Sequence, residues 1–220
     1  IDQARYFAYR RGIALVLLSV SLPDMQVLVQ KLESIRSALH KFGVSVVTIN
    51  SLNAEGNAPI SRSMLNAGFR PRFEFQVSVE DYTRGKISSN HNRNIKRAEK
   101  AGVAVDFPQS LAAMQSHIQL VNLNLANKDI GGITSSAEYL QFLVAEGAGL
   151  LVQVRDGNKL CATTFFLINT DFAYYHSSGT SDTGKKDGAA YYLVDQMIHE
   201  MRERGICHLN LGGCTADQLG

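Results

Sequence analysis

Residues 178–193, SGTSDTGKKDGAAYYL, hold the densest group of side chains and backbone able to bind an anion. Small residues lead through Lys185 and Lys186 to Gly188, Ala189 and Ala190, where a helix is expected to open. A helix N-terminus presents unbonded N–H groups and partial positive charge, which suits a phosphate. Gly188 lets backbone approach a ligand, the two alanines leave room, and Thr180 belongs to the same expected cradle. Asp187 opposes an anion unless it caps the helix and turns away. A plain capped loop accounts for the same stretch, because Gly, Ser and Asp gather before helices for capping alone.

Just upstream, strand alternation assigns Phe172, Tyr174, His176 and Ser178 to one face, with Tyr175 and Ser177 on the other. A histidine beside the loop can deprotonate an amine nucleophile, since its ordinary pKa lies near neutrality. Tyr191 and Tyr192, just after the loop, are candidates to protonate a leaving thiolate or hydroxyl. Each of these residue types more often serves as core packing. A second set is basic: Arg93, Lys96, Arg97 and Lys100 share one helical face, opposite Ile87, Ile95 and Ala98. Between Arg84 and Lys100 the local charge is +5, leaving −3 for the rest of a chain whose net charge is +2. Such a stripe suits the phosphates of a tRNA, a nucleotide-linked wall precursor or an anionic membrane surface. A solvated helix face is the alternative. Asn90 and Asn94, poor helix formers in the same segment, favour a polar contact there. Cys161, Cys207 and Cys214 show neither metal-ligand spacing nor a disulfide framework, so no metal is expected and a reducing cytoplasm fits best. Cys207 and His208 fall on opposite strand faces, and no Ser-His-Asp set or Walker loop is evident.

The elements that position these residues follow from periodicity. The chain has 220 residues, 45% of them hydrophobic, enough for one large domain or two small ones. It starts at Ile1 and stops at Gly220, which reads as a fragment of something longer. The longest apolar run, around Ile13–Val20, suits a buried strand and is too short to span a bilayer. Asp24 is expected to cap a helix whose stripe is Met25, Leu28, Leu32, Ile35, Leu39 and Phe42, closed by Gly43. Strands are expected at Val44–Asn50 and Phe73–Val79, with a short helix near Ile60–Ala67 between them. The basic helix is expected over Thr83–Ala101, a strand over Val103–Phe107, and helices over Leu111–Ala126 and Ala137–Ala145. Leu150–Arg155, Leu160–Asn169 and Phe172–Ser178 read as an antiparallel meander. After the loop, a helix with the stripe Tyr191, Val194, Ile198 and Met201 leads through Gly205 to a strand at Ile206–Leu211. HKFGVSVVTINSLN and RERGICHLNLGGCT each close a helix at a glycine that feeds a strand, which suggests two related α/β units.

Three stretches carry a resemblance. LNAGFRPRFEFQVSVED, SSNHNRNIKRAEKAGVAV and YYHSSGTSDTGKKDGAAYYL…ERGICHLNLGG together resemble the GNAT acyltransferases, and more narrowly the Fem-type peptidoglycan aminoacyl transferases with the acetyltransferase branch grouped with them. The resemblance implies an α/β (α+β) fold of mixed sheets flanked by helices. It also implies two tandem GNAT-like units, residues 1–82 forming an incomplete first unit and 83–220 the second. It implies an acyltransferase that makes an amide bond on an amine acceptor, either a small molecule or a cell-wall precursor. The donor co-substrate would be acyl-coenzyme A or aminoacyl-tRNA, with no tightly bound cofactor. On this reading His176, Tyr175 and Tyr191 are catalytic candidates, and Thr180, Lys185, Lys186, Gly188, Ala189 and Ala190 contact the donor. Asn90, Arg93, Lys96 and Arg97 would hold substrate or phosphate. The GNAT pyrophosphate loop reads Arg/Gln-x-x-Gly-x-Gly/Ala, whereas the stretch here begins with Lys185. Residues 83–150 lack the long heptad-patterned helix pair of some Fem enzymes, which counts against tRNA. A catalytically silent GNAT-like module that binds nucleic acid or a protein partner is the reading from a different class.

Overall fold

In a computed structural model the described residues are 7–11, 14–18, 31–49, 73–128, 131–133, 135–168 and 171–214. The chain divides into two compact units, residues 1–74 with 213–220, and residues 75–212. In the first, β1 (Phe7–Arg11) pairs antiparallel with β2 (Ala14–Leu18), and β2 runs parallel to β3 (Val46–Ile49). Parallel neighbours need a crossover, and α1 (Leu32–His40) lies within it. The expected start of that helix at Asp24 and the expected helix near Ile60–Ala67 lie outside the described residues. Phe42 is not part of the apolar stripe: α1 ends at His40 and Phe42 is 72% exposed.

The second unit is built on a six-stranded mixed sheet in the order β4-β9-β8-β7-β6-β5. Its strands are β4 (Phe73–Ser78), β5 (Ala104–Asp106), β6 (Gly149–Asp156), β7 (Lys159–Ile168), β8 (Phe172–Thr180) and β9 (His208–Cys214). β5 through β8 pair antiparallel, and β8 pairs parallel with β9. The helices are α2 (Ser89–Ala101), α3 (Leu111–Ala126), α4 (Ala137–Ala145), α5 (Asp182–Asp187) and α6 (Ala189–Glu203).

Both sheet faces are covered, so the inner strands are apolar on both sides. Val152, Ala162, Phe166 and Ala173 pack with Ala98 of α2 and with Ala189, Leu193 and Met197 of α6 in one core cluster. On the other face α3 and α4 lie against the sheet, where His117 meets Phe165 and Gln153 Nε2 donates to the Ala113 carbonyl. α3 and α4 match the expected bounds, each opened by a serine whose Oγ accepts from the third residue on. α2 starts six residues later than expected, because Ser88 caps it and residues 83–86 close a turn instead. Ile198 and Met201 of α6 are buried as expected, but Leu193 and Met197 complete that face and Tyr191 is 37% exposed. No helix among the described residues is long and apolar enough to cross a membrane.

Candidate active site

The site forms where β8 runs on beyond its pairing with β9. β8 pairs with β9 only from Phe172↔His208 to Tyr174↔Asn210, although both strands continue. At the same level its register with β7 shifts: Phe165 faces Ser177 and Phe166 faces Tyr175, leaving His176 as the extra residue of a bulge. Tyr175 and Ser177 therefore lie on opposite faces, contrary to simple alternation. Tyr175 sits edge-on to Phe166 with ring centroids 5.4 Å apart, while Ser177 meets His117 on the far side. His176 is edge-on to Phe165 at 6.3 Å. Beyond the bulge, β8 borders a cavity of about 830 Å³ that it shares with α3 and the α5–α6 turn.

Seven of the residues expected from sequence line this cavity: Tyr175, His176, Thr180, Lys185, Gly188, Ala190 and Tyr191. Tyr191 is braced by His91 of α2, their rings edge-on at 5.0 Å. Thr180 contributes no free amide, since its N–H donates to Asn124 Oδ1 at 2.7 Å. Ala189 is fully buried in the core rather than at the cavity. Lys186 is exposed, and its carbonyl accepts from Arg97 Nη1 at 3.0 Å.

Gly188 and Gly184 also have a packing role. A Cβ at Gly188, where φ is +76°, would lie 2.4 Å from the Asn94 carbonyl oxygen. At Gly184 it would lie 2.0 Å from the Cys161 carbonyl oxygen. Both glycines let chain pack on chain. Asp187 does not cap α6, whose N-cap position is Gly188 and carries no side-chain cap. Ser181 caps α5 by accepting from Gly184 N–H at 3.1 Å. Lys185 pairs with Asp182 at 3.0 Å, but both side chains are exposed and water weakens the pair.

None of Asn90, Arg93, Lys96 and Arg97 lines the cavity. Asn90 Oδ1 accepts from Arg93 Nη2 at 2.8 Å, and Asn94 is buried with its Nδ2 on the Asn90 carbonyl. The exposed Arg97 nonetheless bonds through its guanidinium to the Lys186 backbone carbonyl, tying α2 to the turn of α5 that follows the cavity-lining Lys185. Arg84 is paired with Asp195 and Glu99.

Four residues that line the cavity or hold its surroundings by hydrogen bonds were not singled out as candidates from sequence: His117, Asn124, Ser177 and Asp195. The signal for α3 was its polar residues at helix-interior positions, His117, Asn122 and Asn124 among them. His117 is fully buried between Thr163 Oγ1 and Ser177 Oγ, each 2.9 Å away. Burial lowers its pKa to about 4, and the neighbouring His176 adds to the shift. Burial also lowers the pKa of His176. Both rings are therefore neutral at pH 7.

The Acetyltransferase (GNAT) domain model matches residues 85–218. The chain belongs to this family. Its members take acetyl-coenzyme A as a co-substrate, so acyl transfer is the class of chemistry for this GNAT domain. Solved structures extend the likeness at the level of fold. FemX superposes with a TM-score of 0.64 at 9% identity, covering 93% of this chain and 73% of that one. The L-PGS of Bacillus licheniformis gives 0.61 at 15% identity, over 97% and 69% of the two chains. A GCN5-related N-acetyltransferase from Kribbella flavida gives 0.51 at 14%, over 94% and 79%. A comparison with curated protein sequences finds no match. In this GNAT domain β8 and β9 supply the opened strand pair, and the helices α5 and α6 connect them.

Proposed function

We propose that this GNAT domain transfers an acyl group from acyl-coenzyme A to the nitrogen of an amine, making an amide. The observation that carries the reading is the cavity at the parting of β8 from β9, where a bulged histidine, open strand edge and lysine meet. Thr180 N–H points away from β7 toward Asn124, so Ser178, two residues earlier, directs its N–H to the same side. A backbone donor there can polarise the acyl carbonyl. His176, held neutral by burial, is suited to accept the proton that an attacking amine releases. Lys185 offers positive charge to the carrier's phosphates. Attack by the amine itself needs positioning, a polarised carbonyl and a proton acceptor, without a covalent enzyme intermediate.

Calorimetric titration with acyl-coenzyme A, together with thiol release on adding amines, tests the reading. Saturable binding that weakens about tenfold in Lys185→Ala, with turnover at saturation retained, is the expected result. A wild-type chain that binds no acyl-coenzyme A sinks it and leaves a silent module.

A second donor, aminoacyl-tRNA, is favoured by one observation, the exposure of Arg93, Lys96, Arg97 and Lys100 on α2. The acceptor would then be an amine on a cell-wall precursor rather than a small amine. Binding of charged tRNA that falls steeply with salt distinguishes this donor from coenzyme A.

A further inference from the structure

His117 is fully buried, yet it links the cavity wall to the sheet interior by two hydrogen bonds. The direction of both bonds follows from counting hydrogens. Thr163 is fully buried, and among the described residues its Oγ1 has no bond other than that to His117 Nδ1. A buried hydroxyl that accepts from Nδ1–H strands its own hydrogen, which costs more than an unused lone pair. Thr163 therefore donates to Nδ1. A neutral imidazole has one donor and one acceptor nitrogen, so Nε2 carries the hydrogen and donates to Ser177 Oγ. Ser177 is 8% exposed and lines the cavity, and its hydroxyl hydrogen meets no acceptor among the described residues. The chain Thr163→His117→Ser177 ends in a donor aimed at the cavity.

We propose that Ser177 is a catalytic hydroxyl that passes the proton of the attacking amine to the departing group, and that His117 is the positioning residue that orients it. The assignment rests on the acyl-transfer reading. As the nitrogen bonds to the carbonyl carbon, the C–S bond breaks and sulfur leaves with its electron pair. Ser177 Oγ takes the proton from nitrogen while giving its own to sulfur, so the hydroxyl ends as it began. The exchange needs no charged serine or histidine, which agrees with an imidazole that resists protonation. His117 Nε2–H occupies a lone pair of Oγ throughout and directs the hydroxyl hydrogen into the cavity. An amine that arrives as an ammonium ion first gives its extra proton to His176, and the neutral amine so formed is the nucleophile.

Two measurements test this. The first is independent of turnover: nitrogen-15 NMR of the histidine-labelled protein at pH 7 reads the tautomer of His117. Hydrogen on Nε2 is expected; hydrogen on Nδ1 reverses the chain and overturns the proposal. The second compares Ser177→Ala with wild type on an alkyl thioester and on an aryl thioester whose thiolate leaves without a proton. Ser177→Ala should lower kcat roughly 100-fold on the alkyl donor, leave KM within about twofold, and lose under about threefold on the aryl donor. An equal loss on both donors makes Ser177 structural and overturns the proposal. His117→Gln, whose amide can still donate to Oγ, should keep more kcat than His117→Leu. Equal kcat in those two folded variants also overturns it. A wild type without turnover on any donor defeats the transferase reading together with this one, whereas an active wild type matched by Ser177→Ala defeats this one alone.

Discussion

Arg84 grips Asp195 with two prongs, Nε on Oδ1 at 3.0 Å and Nη2 on Oδ2 at 2.7 Å, tying the segment before α2 to the buried flank of α6. Tyr82 Oη donates to the same carboxylate at 2.9 Å. Burial alone would raise the Asp195 pKa, but the bonds from Arg84 and Tyr82 outweigh it and hold the carboxyl below its ordinary value. Asp195→Ala strands a tyrosine hydroxyl and a guanidinium. It should cost about 2 kcal/mol after allowance for the partly exposed arginine. Because the folded pKa is depressed, this contribution is complete above the ordinary carboxylate pKa of about 3.9 and fades as pH falls through the folded value. Urea midpoints at pH 7 and pH 3 check both the size and the direction.

Gly188 stands on Asn94, and no side chain fits between them. Gly188→Ala meets a left-handed φ of +76° and an oxygen 2.4 Å from the new methyl group. Strain and overlap together should cost about 3 kcal/mol. For a chain of this length each kcal/mol lowers Tm by roughly 2–4 °C, so calorimetry should show a fall of about 6–12 °C. A change under about 2 °C contradicts the packing account.

His176 is held below the ordinary histidine pKa of 6.5 by burial. A base must be unprotonated, so kcat/KM should be level at neutral pH and decline only below 6.5, through the lowered folded value. His176→Ala should remove that acid limb and reduce kcat/KM about 100-fold. A limb centred above 6.5, or one that survives the substitution, argues for another base.

His117 makes folding sensitive to acid. Its folded pKa is about 4 against an ordinary 6.5, so between those values the unfolded chain binds a proton that the folded chain does not. Stability then falls as pH drops, by about 2 kcal/mol from pH 7 to pH 5 for this residue. In His117→Gln the slope over that interval should flatten by that amount, as read from urea midpoints.

Arg97 Nη1 on the Lys186 carbonyl connects the basic face of α2 to the loop beside the cavity. If that face holds tRNA, Arg93→Ala and Arg97→Ala should each reduce the salt slope of binding by about one phosphate contact. Coenzyme A binding should be unchanged by Arg93→Ala. Fluorescence titration at two salt concentrations separates the two outcomes.

Much of the fold was legible because local signals and tertiary demands agree. The apolar period of α3 and α4 and their serine caps need only neighbours in sequence, and both helices match the expected residues. The β6–β8 meander is equally local, with Gly157 at one turn and alternating or continuous apolar runs on either side. α2 shows the limit of periodicity: Thr83–Ser88 fit a helix by pattern, but Ser88 offers a cap that the pattern does not weigh.

The sequence by itself determined the family, because the loop, the basic helix and the closing strand are contiguous stretches whose residue types carry their own constraint. Only the tertiary structure decided which distant atoms each candidate residue meets. One inserted residue at His176 turned Ser177 toward His117, 60 positions away, and Tyr175 toward Phe166. Gly188 and Gly184 proved to be contacts between chain segments, because a missing Cβ looks the same in sequence whether its neighbour is a ligand or a carbonyl. Bulges, buried bond chains and close approaches depend on which distant atoms arrive opposite, and no local period encodes that.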